Sequence, residues 1–385
     1  MVWDVAVVGA GPAGVAAAAA ARQAGASVLL LDRARFPRDK ACGDGIAAEV
    51  LDELAAVGVD VSRVTAGFPV LQRIRLTSPG GSLTQGSMRR PVHVIPREVF
   101  DARLVAEAVR LGVELRTQRV RSLAVDGDEV SLDDDLQARV VVGADGVGSV
   151  VRRALGIAPA GPGQAAIAIR GYAAADVRHP GTQVIVMTRE SWPAYAWSFP
   201  IGDGRANVGY GQLLRQGPLS REHLVAALHR LLPDVGPVEA LRAAHLPLSP
   251  GRAAVQDGRV LLVGDALGLV NPLSGEGIMQ AVVSGALAGR AAVTAATDPG
   301  AAYRRVLDHR LGRHLRDAAA LQRLNRWPAV LDAGVRASAS DRQVFDDLIL
   351  FGLADGGLTP RVLGRTVLRL GGAAAGRLRT RPAAA

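Results

Sequence analysis

The chain has 385 residues, too many for one ordinary core, so two domains or one nucleotide domain with insertions are expected. Its net charge of +9 rests on arginine, with Lys40 the sole lysine. No interleaved aromatic platform or reader motif accompanies that charge, which argues against nucleic acid and leaves an anionic lipid surface, a diphosphate substrate or a plain solvated face.

A lone cysteine, Cys42, excludes an internal disulfide and suits a reducing cytoplasm. No apolar run is long enough to span a bilayer, and the first residues read as a strand rather than a secretion signal. Val5 to Val8 suits a parallel strand covered on both faces, and it leads into Gly9-Ala10-Gly11-Pro12-Ala13-Gly14. There Gly9 permits the tight turn, Gly11 lets the backbone approach a pyrophosphate, and Gly14 lets the next helix pack on the strand. Pro12 suits the first helical turn, and the helix start points N–H groups and a positive dipole end at phosphates. A second run, Ser27 to Leu31, ends at Asp32, eighteen residues after Gly14, where an acid meets ribose hydroxyls.

Strand and helix patterns alternate to about residue 60, as in a doubly wound sheet. Residues 69–94 read as short strands around Pro79-Gly80-Gly81 and Pro91. A helix follows from about Pro96 to Leu111, with Val99, Phe100, Leu104, Val105, Ala108 and Leu111 on one stripe. Val113 to Ala124 and Glu129 to Leu132 read as strands about Asp126-Gly127-Asp128, and Gln137 to Gly143 returns to the sheet. Residues 165–250 are mostly strands plus one helix, about Ser220 to Leu232, forming an antiparallel roof. After Gly264-Asp265 a long Ala-rich helix is expected near 275–297, then several more to Gly371, with a tail 372–385 that should fray.

The predicted fold class is therefore α/β: a Rossmann-like domain carrying an inserted antiparallel β-sheet domain and a C-terminal helical region. The expected cofactor-binding domain is 1–66, 93–160 and 252–300, the substrate domain 67–92 and 161–251, and the helical region 301–385.

The glycine turn alone says only that a dinucleotide binds. Paired with Val263-Gly264-Asp265-Ala266 and Asn271-Pro272-Leu273-Ser274-Gly275-Glu276-Gly277-Ile278, it says FAD. Gly143-Ala144-Asp145-Gly146 with Ser149, Val151 and Arg152 resembles the middle fingerprint of the hydroxybenzoate-hydroxylase-like FAD fold. Arg97-Glu98-Val99-Phe100-Asp101 resembles the segment whose arginine reaches the flavin side, and Gly264-Asp265 the fingerprint whose aspartate bonds the ribityl chain. The likeness implies that Gly275 to Ile278, with Pro272, set backbone N–H groups and a helix start by the flavin pyrimidine edge. It adds Arg33, Val120 and Asp145 to the cofactor set.

Lys40-Ala41-Cys42-Gly43-Asp44-Gly45 and Tyr195-Ala196-Trp197-Ser198-Phe199-Pro200, followed by Gly209-Tyr210-Gly211, are similar to motifs of the geranylgeranyl reductase family. That resemblance implies an FAD-dependent reductase of isoprenoid carbon–carbon double bonds, with Lys40, Ala41, Cys42 and Gly43 near the cofactor. Alternation puts Tyr195, Trp197 and Phe199 on one strand face, an apolar wall for substrate if it looks at the flavin and an ordinary core stripe if it does not. Cys42 or Tyr195 is a candidate proton donor, and Trp197 or Tyr195 a candidate for orienting substrate.

A polyprenyl diphosphate, a polyprenyl quinone tail or an isoprenoid lipid fits as substrate. With no second Gly-x-Gly-x-x-Gly region, electrons are expected from NAD(P)H or a reduced ferredoxin-like protein. No ligand set for a metal is seen. The alternative function is an FAD-dependent monooxygenase acting on a small aromatic or polyketide; a halogenase or a pure electron relay fits less well. Arg361 to Leu370, with arginines at four-residue spacing, suits a C-terminal helix packed on the core, with peripheral contact to an anionic membrane as the second reading.

Overall fold

The structure, a computed structural model, describes residues 1–379 apart from 134, 160, 162, 191–192, 215–218, 296 and 325–326. The first sheet grows from Val2–Val8, which pairs in parallel with Val28–Asp32 on one side and Leu136–Gly143 on the other. Glu114–Thr117 extends the first edge. The far edge of Leu136–Gly143 holds the hairpin Leu123–Asp126/Glu129–Leu132 near its start and Val260–Leu262 near its end.

Alternation sorts the first strand between two cores. Val5 and Val7 face a core shared with the helices Pro12–Gln23, Arg97–Arg110 and Ile278–Thr294, while Ala6 and Val8 face one shared with Leu29, Leu31, Val120 and Val141. The alanine run of Pro12–Gln23 is explained by the helix that crosses it. A Cβ on Gly285 or Gly289 would stand 2.1 Å from the carbonyl oxygen of Ala13 or Ala17, so these helices meet backbone against backbone.

The second sheet runs in the order Glu239–Pro247, Ala165–Ala174, Arg205–Leu213, Ala194–Pro200, Thr182–Thr188, Val70–Thr77, Leu83–Val94, Gly45–Ala47. Its pairings are antiparallel except that Thr182–Thr188 joins Val70–Thr77 in parallel, the seam between two separate stretches of sequence. Gly45–Ala47 was not foreseen as a strand. The helix expected at Ser220 begins at Arg221, with the Ser220 hydroxyl accepting from His223 N–H.

Two expectations are corrected. The single strand 113–124 is two, Glu114–Thr117 and Leu123–Asp126, because Asp133 Oδ1 accepts from Arg121 and Ser122 N–H at 2.8 Å and draws the backbone out of the ladder. The last helix does not end at Gly371: it spans Pro360–Arg379, and residues 380–385 lie outside the described ones. Before it come the helices Pro299–Leu324, Pro328–Ser340 and Arg342–Leu353. His314, buried and held neutral by its burial, ties them to the sheet domain. Its Nδ1 donates to Gly356 O at 2.7 Å, and its Nε2 accepts from Asn271 at 3.3 Å and Gln280 at 3.1 Å.

Candidate active site

The glycine turn is built as its spacing predicts. Gly9 sits at φ +104°, a conformation a side chain would strain, and a Cβ on Gly14 would lie 1.8 Å from Gly9 O. Asp32 closes the turn, its Oδ2 accepting from Ala10 N–H at 2.8 Å and its Oδ1 from Ala34 N–H at 2.9 Å. The helix Pro12–Gln23 starts at Gly11 with no side-chain cap, so its first-turn N–H groups are offered to the space beside Gly11, Pro12 and Ala13. Arg38 holds its guanidinium within 3.8 Å of a Cβ built on Gly11 and pairs with Asp101 at 3.1 Å. A cation therefore stands over an uncapped helix start and an open glycine, features that fit a dinucleotide pyrophosphate. FAD fits this cradle.

Arg97 is buried and held by a two-pronged pair to Asp101, at 2.6 and 2.7 Å. Across the cavity Lys40 Nζ lies 3.0 Å from Asp265 Oδ2. Burial alone would raise the Asp265 carboxyl, but Lys40 keeps it below its ordinary value.

A buried network fixes the loop between them. Asp44, at φ +61° and fully buried, accepts from Tyr172 O–H at 2.8 Å and Asn207 Nδ2 at 2.7 Å. Asn207 also donates to Cys42 O at 2.9 Å and accepts Trp197 Nε1–H at 2.8 Å. Arg170, buried beneath the loop, pairs with Asp39 and stacks 4.8 Å over the Tyr172 ring. Burial raises Asp44 to about 6 despite these donors.

The three alternate rings share one face: Tyr195–Trp197 centroids are 5.8 Å apart and Trp197–Phe199 centroids 6.4 Å. That face looks into a cavity of about 550 Å³, so the rings are a wall and not a core stripe. Trp197 is paired with Gly209 on the neighbouring strand, where a Cβ would meet its ring at 2.1 Å; the first glycine of Gly-x-Gly is the seat of that indole. Tyr195 O–H donates to Ser274 O, and burial pushes its pKa up.

Glu276 lines the same cavity. Its Oε1 accepts from Ile278 N–H at 2.7 Å and Met279 N–H at 3.2 Å. Of the N–H groups expected to face a flavin edge, that of Gly275 donates to Asn271 O, that of Glu276 to Ser274 Oγ and that of Ile278 to this carboxylate. Burial raises Glu276 to about 7, and Cys42 is also raised, first by burial.

Of the cofactor residues expected from the sequence, Gly11, Pro12, Ala13, Lys40, Ala41, Cys42, Gly43, Arg97, Asp265, Pro272, Gly275, Gly277 and Ile278 line the cavity. Tyr195, Trp197 and Phe199 line it too. Gly9, Gly14, Asp32 and Gly264 shape the turns behind it, Asp145 Oδ2 accepts from Val150 N–H at 2.6 Å, Val120 is in the opposite core, and Arg33 is exposed. Sequence reasoning missed Arg38, Asp44, Tyr172, Arg170, Asn207 and Glu276 as site groups. Asp44 and Glu276 stood inside the quoted motifs, and their acid side chains among glycines were the available signal.

A family model described as an FAD binding domain matches residues 2–296. Digeranylgeranylglycerophospholipid reductase 1 of Methanopyrus kandleri is 35% identical over 322 residues, 77% of this chain and 81% of that protein. The menaquinone reductase of Mycolicibacterium smegmatis is 33% identical over 321 residues, 74% of this chain and 75% of that protein. The crystal structure of a geranylgeranyl bacteriochlorophyll reductase-like protein from Thermoplasma acidophilum matches with TM-score 0.78 at 21% identity over 96% of each chain, a likeness of fold.

Proposed function

The chain belongs to the FAD-binding-domain family, in its geranylgeranyl reductase group, and is an FAD-dependent oxidoreductase; from that premise we propose that it saturates carbon–carbon double bonds of an isoprenoid chain. One observation carries the reading. The cavity that holds Gly11, Lys40, Cys42 and Arg97 at one end continues past the aromatic wall to Leu331, Val335, Leu348, Phe351 and Val367 of the C-terminal helices. A small polar aromatic needs no such apolar extension, whereas a polyprenyl tail does.

Bound FAD supplies the hydride equivalent; the chain's own residues hold the substrate, exclude water and manage the proton. The aromatic wall and the helical channel do the first two. For the proton, Tyr195 O–H is engaged by Ser274 O and Trp197 N–H by Asn207. The Glu276 carboxyl accepts from backbone N–H groups of its own helix start, and burial raises its pKa to about 7. Glu276 is therefore the favoured donor, with Cys42 beside it in the cavity lining.

A polyprenyl diphosphate, a polyprenyl quinone tail or an isoprenoid lipid is the substrate, and NAD(P)H or a reduced ferredoxin-like protein the electron source. The test is anaerobic photoreduction followed by mixing with candidate isoprenoids. Flavin reoxidation without oxygen, with a product carrying two more hydrogens, supports the reading. Inertness to every isoprenoid, with oxygen incorporated into a small aromatic instead, overturns it.

A further inference from the structure

The charge of this chain is segregated. Residues 301–385 contain 15 arginines and 7 aspartates, with no lysine or glutamate, so they carry +8 (15 − 7) of the total +9. The preceding 300 residues are nearly neutral. Within the basic region the helix Pro360–Arg379 has arginines at 361, 365, 369, 377 and 379 and no acid.

Large apolar side chains are exposed in the same place. Leu324, Trp327, Leu363, Val367 and Leu368 are between 47% and 68% exposed. Scattered exposed leucines need no explanation, but Leu324, Leu363 and Val367 also line the cavity that reaches the cofactor cradle. They stand where it opens. The helix is docked from its other sides: Val362 is buried, and Arg361 and Arg365 pair with Asp341 at 3.0 and 3.2 Å. The packed reading of Arg361 to Leu370 therefore holds for one face, and the opposite face is left apolar and bare.

We propose that this mouth docks on an anionic phospholipid bilayer, from which the isoprenoid chain slides into the channel without crossing water. The proposal rests on the isoprenoid reading for what enters, but not for the docking itself. A half-exposed amphipathic helix flanked by arginines is the form of surface that lies in a lipid interface. A second copy of this chain is disfavoured as occupant, since a twofold contact would set the acid-free, arginine-bearing helix Pro360–Arg379 of one copy against that of the other. No helix of the described residues is long and apolar enough to cross a membrane, so the contact is peripheral.

The experiment is flotation of the full-length FAD-loaded protein with phosphatidylcholine vesicles, with and without phosphatidylglycerol. The variant is Leu363→Ser/Val367→Ser/Leu368→Ser, all at exposed positions; flavin content and melting temperature check its fold. Wild type should float with the anionic vesicles, less so at high salt, and the variant's partition coefficient should fall about tenfold or more, as three apolar side chains lose their insertion. Reoxidation of the photoreduced wild-type protein by a short water-soluble isoprenol tests the isoprenoid reading separately. Partitioning of the variant equal to wild type, equal binding to neutral vesicles, or a wild-type dimer broken by the same substitutions would each overturn the proposal. Failure of the isoprenol with vesicle binding intact would strike the isoprenoid reading alone.

Discussion

Replacing Gly209 by alanine adds one carbon, and the structure says where it goes. The new Cβ would stand 2.1 Å from Trp197 Cζ2, 2.5 Å from Cη2 and 2.5 Å from Ile169 O. Carbon–carbon contact needs about 3.5 Å or more, and the carbonyl belongs to a paired strand, so the indole must move by roughly 1 Å or more. Its Nε1–H then leaves Asn207 Oδ1, and Asn207 is also what holds Cys42 O and Asp44. Overpacking costs about 1–3 kcal/mol and the lost hydrogen bond about 1 kcal/mol, together roughly 3 kcal/mol. With an unfolding entropy of about 2 cal/mol/K per residue, that lowers the melting temperature by about 4 °C. Substrate-driven flavin reoxidation should slow at least about tenfold, since a shift of about 1 Å in a positioning group is enough for that. Gly211→Ala is the control: its Cβ meets Ala168 Cβ at 3.4 Å, an ordinary contact, and it should melt within about 1 °C of wild type. The reasoning fails if the two variants melt alike and reoxidise alike.

Glu276→Gln should remove a pH-dependent destabilisation. Burial raises the native pKa to about 7 from an ordinary 4.5, so the stabilisation is fully present below the ordinary value and is lost as pH rises through about 7. Its ceiling is about 3 kcal/mol. Melting curves of wild type and variant, followed from about pH 5 to about pH 8, should therefore diverge, and parallel curves would refute it. Gly289→Ala, whose Cβ would sit 2.1 Å from Ala17 O, should cost about 3 kcal/mol without touching the cavity, whereas Gly364→Ala, with nothing within 4 Å, should gain up to about 1 kcal/mol of helix propensity. Denaturant midpoints decide the pair. Lys40→Met removes the partner that holds the Asp265 carboxyl down; the pair is partly exposed, so stability should change by less than about 1 kcal/mol while FAD affinity, read by fluorescence quenching, falls roughly threefold to tenfold.

The legible part of this protein is what local spacing dictates. Gly9, Gly11 and Gly14 sit within one turn, Asp32 ends the next strand, and Tyr195, Trp197 and Phe199 alternate, so one short window carries each signal. A continuous apolar run found the first strand, the 3.6 period found the Phe100–Leu104–Ala108 stripe, and the helix expected from about Ser220 spans Arg221–Leu231. Gly45–Ala47 was invisible because three residues show no period. The break in 113–124 was invisible because its cause, Asp133, lies 11 and 12 residues away from the N–H groups it takes.

The acids show why the rest of the site was out of reach. Asp44 and Glu276 were both in plain view between glycines, yet an acid in a glycine-rich loop is ordinarily a solvated turn residue. What makes these two unusual is burial, and their burial is assembled from Tyr172, Asn207 and Arg170 for one and from the Ile278 helix start for the other. Asp44's partners Tyr172 and Asn207 lie 128 and 163 residues away, so no window of sequence holds them, whereas the bonds Glu276 accepts are local and only its cavity is assembled from afar. The channel is the same problem at larger scale: its cofactor end is written in residues 9–14 and 40–45, and its far end in residues 321–370. Asn271, Gln280 and His314 join the two by hydrogen bonds inside the fold. An ambiguous helix of leucines and arginines becomes the rim of an opening only once that joint sets it over the flavin cradle. Fold and cofactor are thus decided by short-range pattern, while proton handling and lipid access are decided by contacts that only the folded chain brings together.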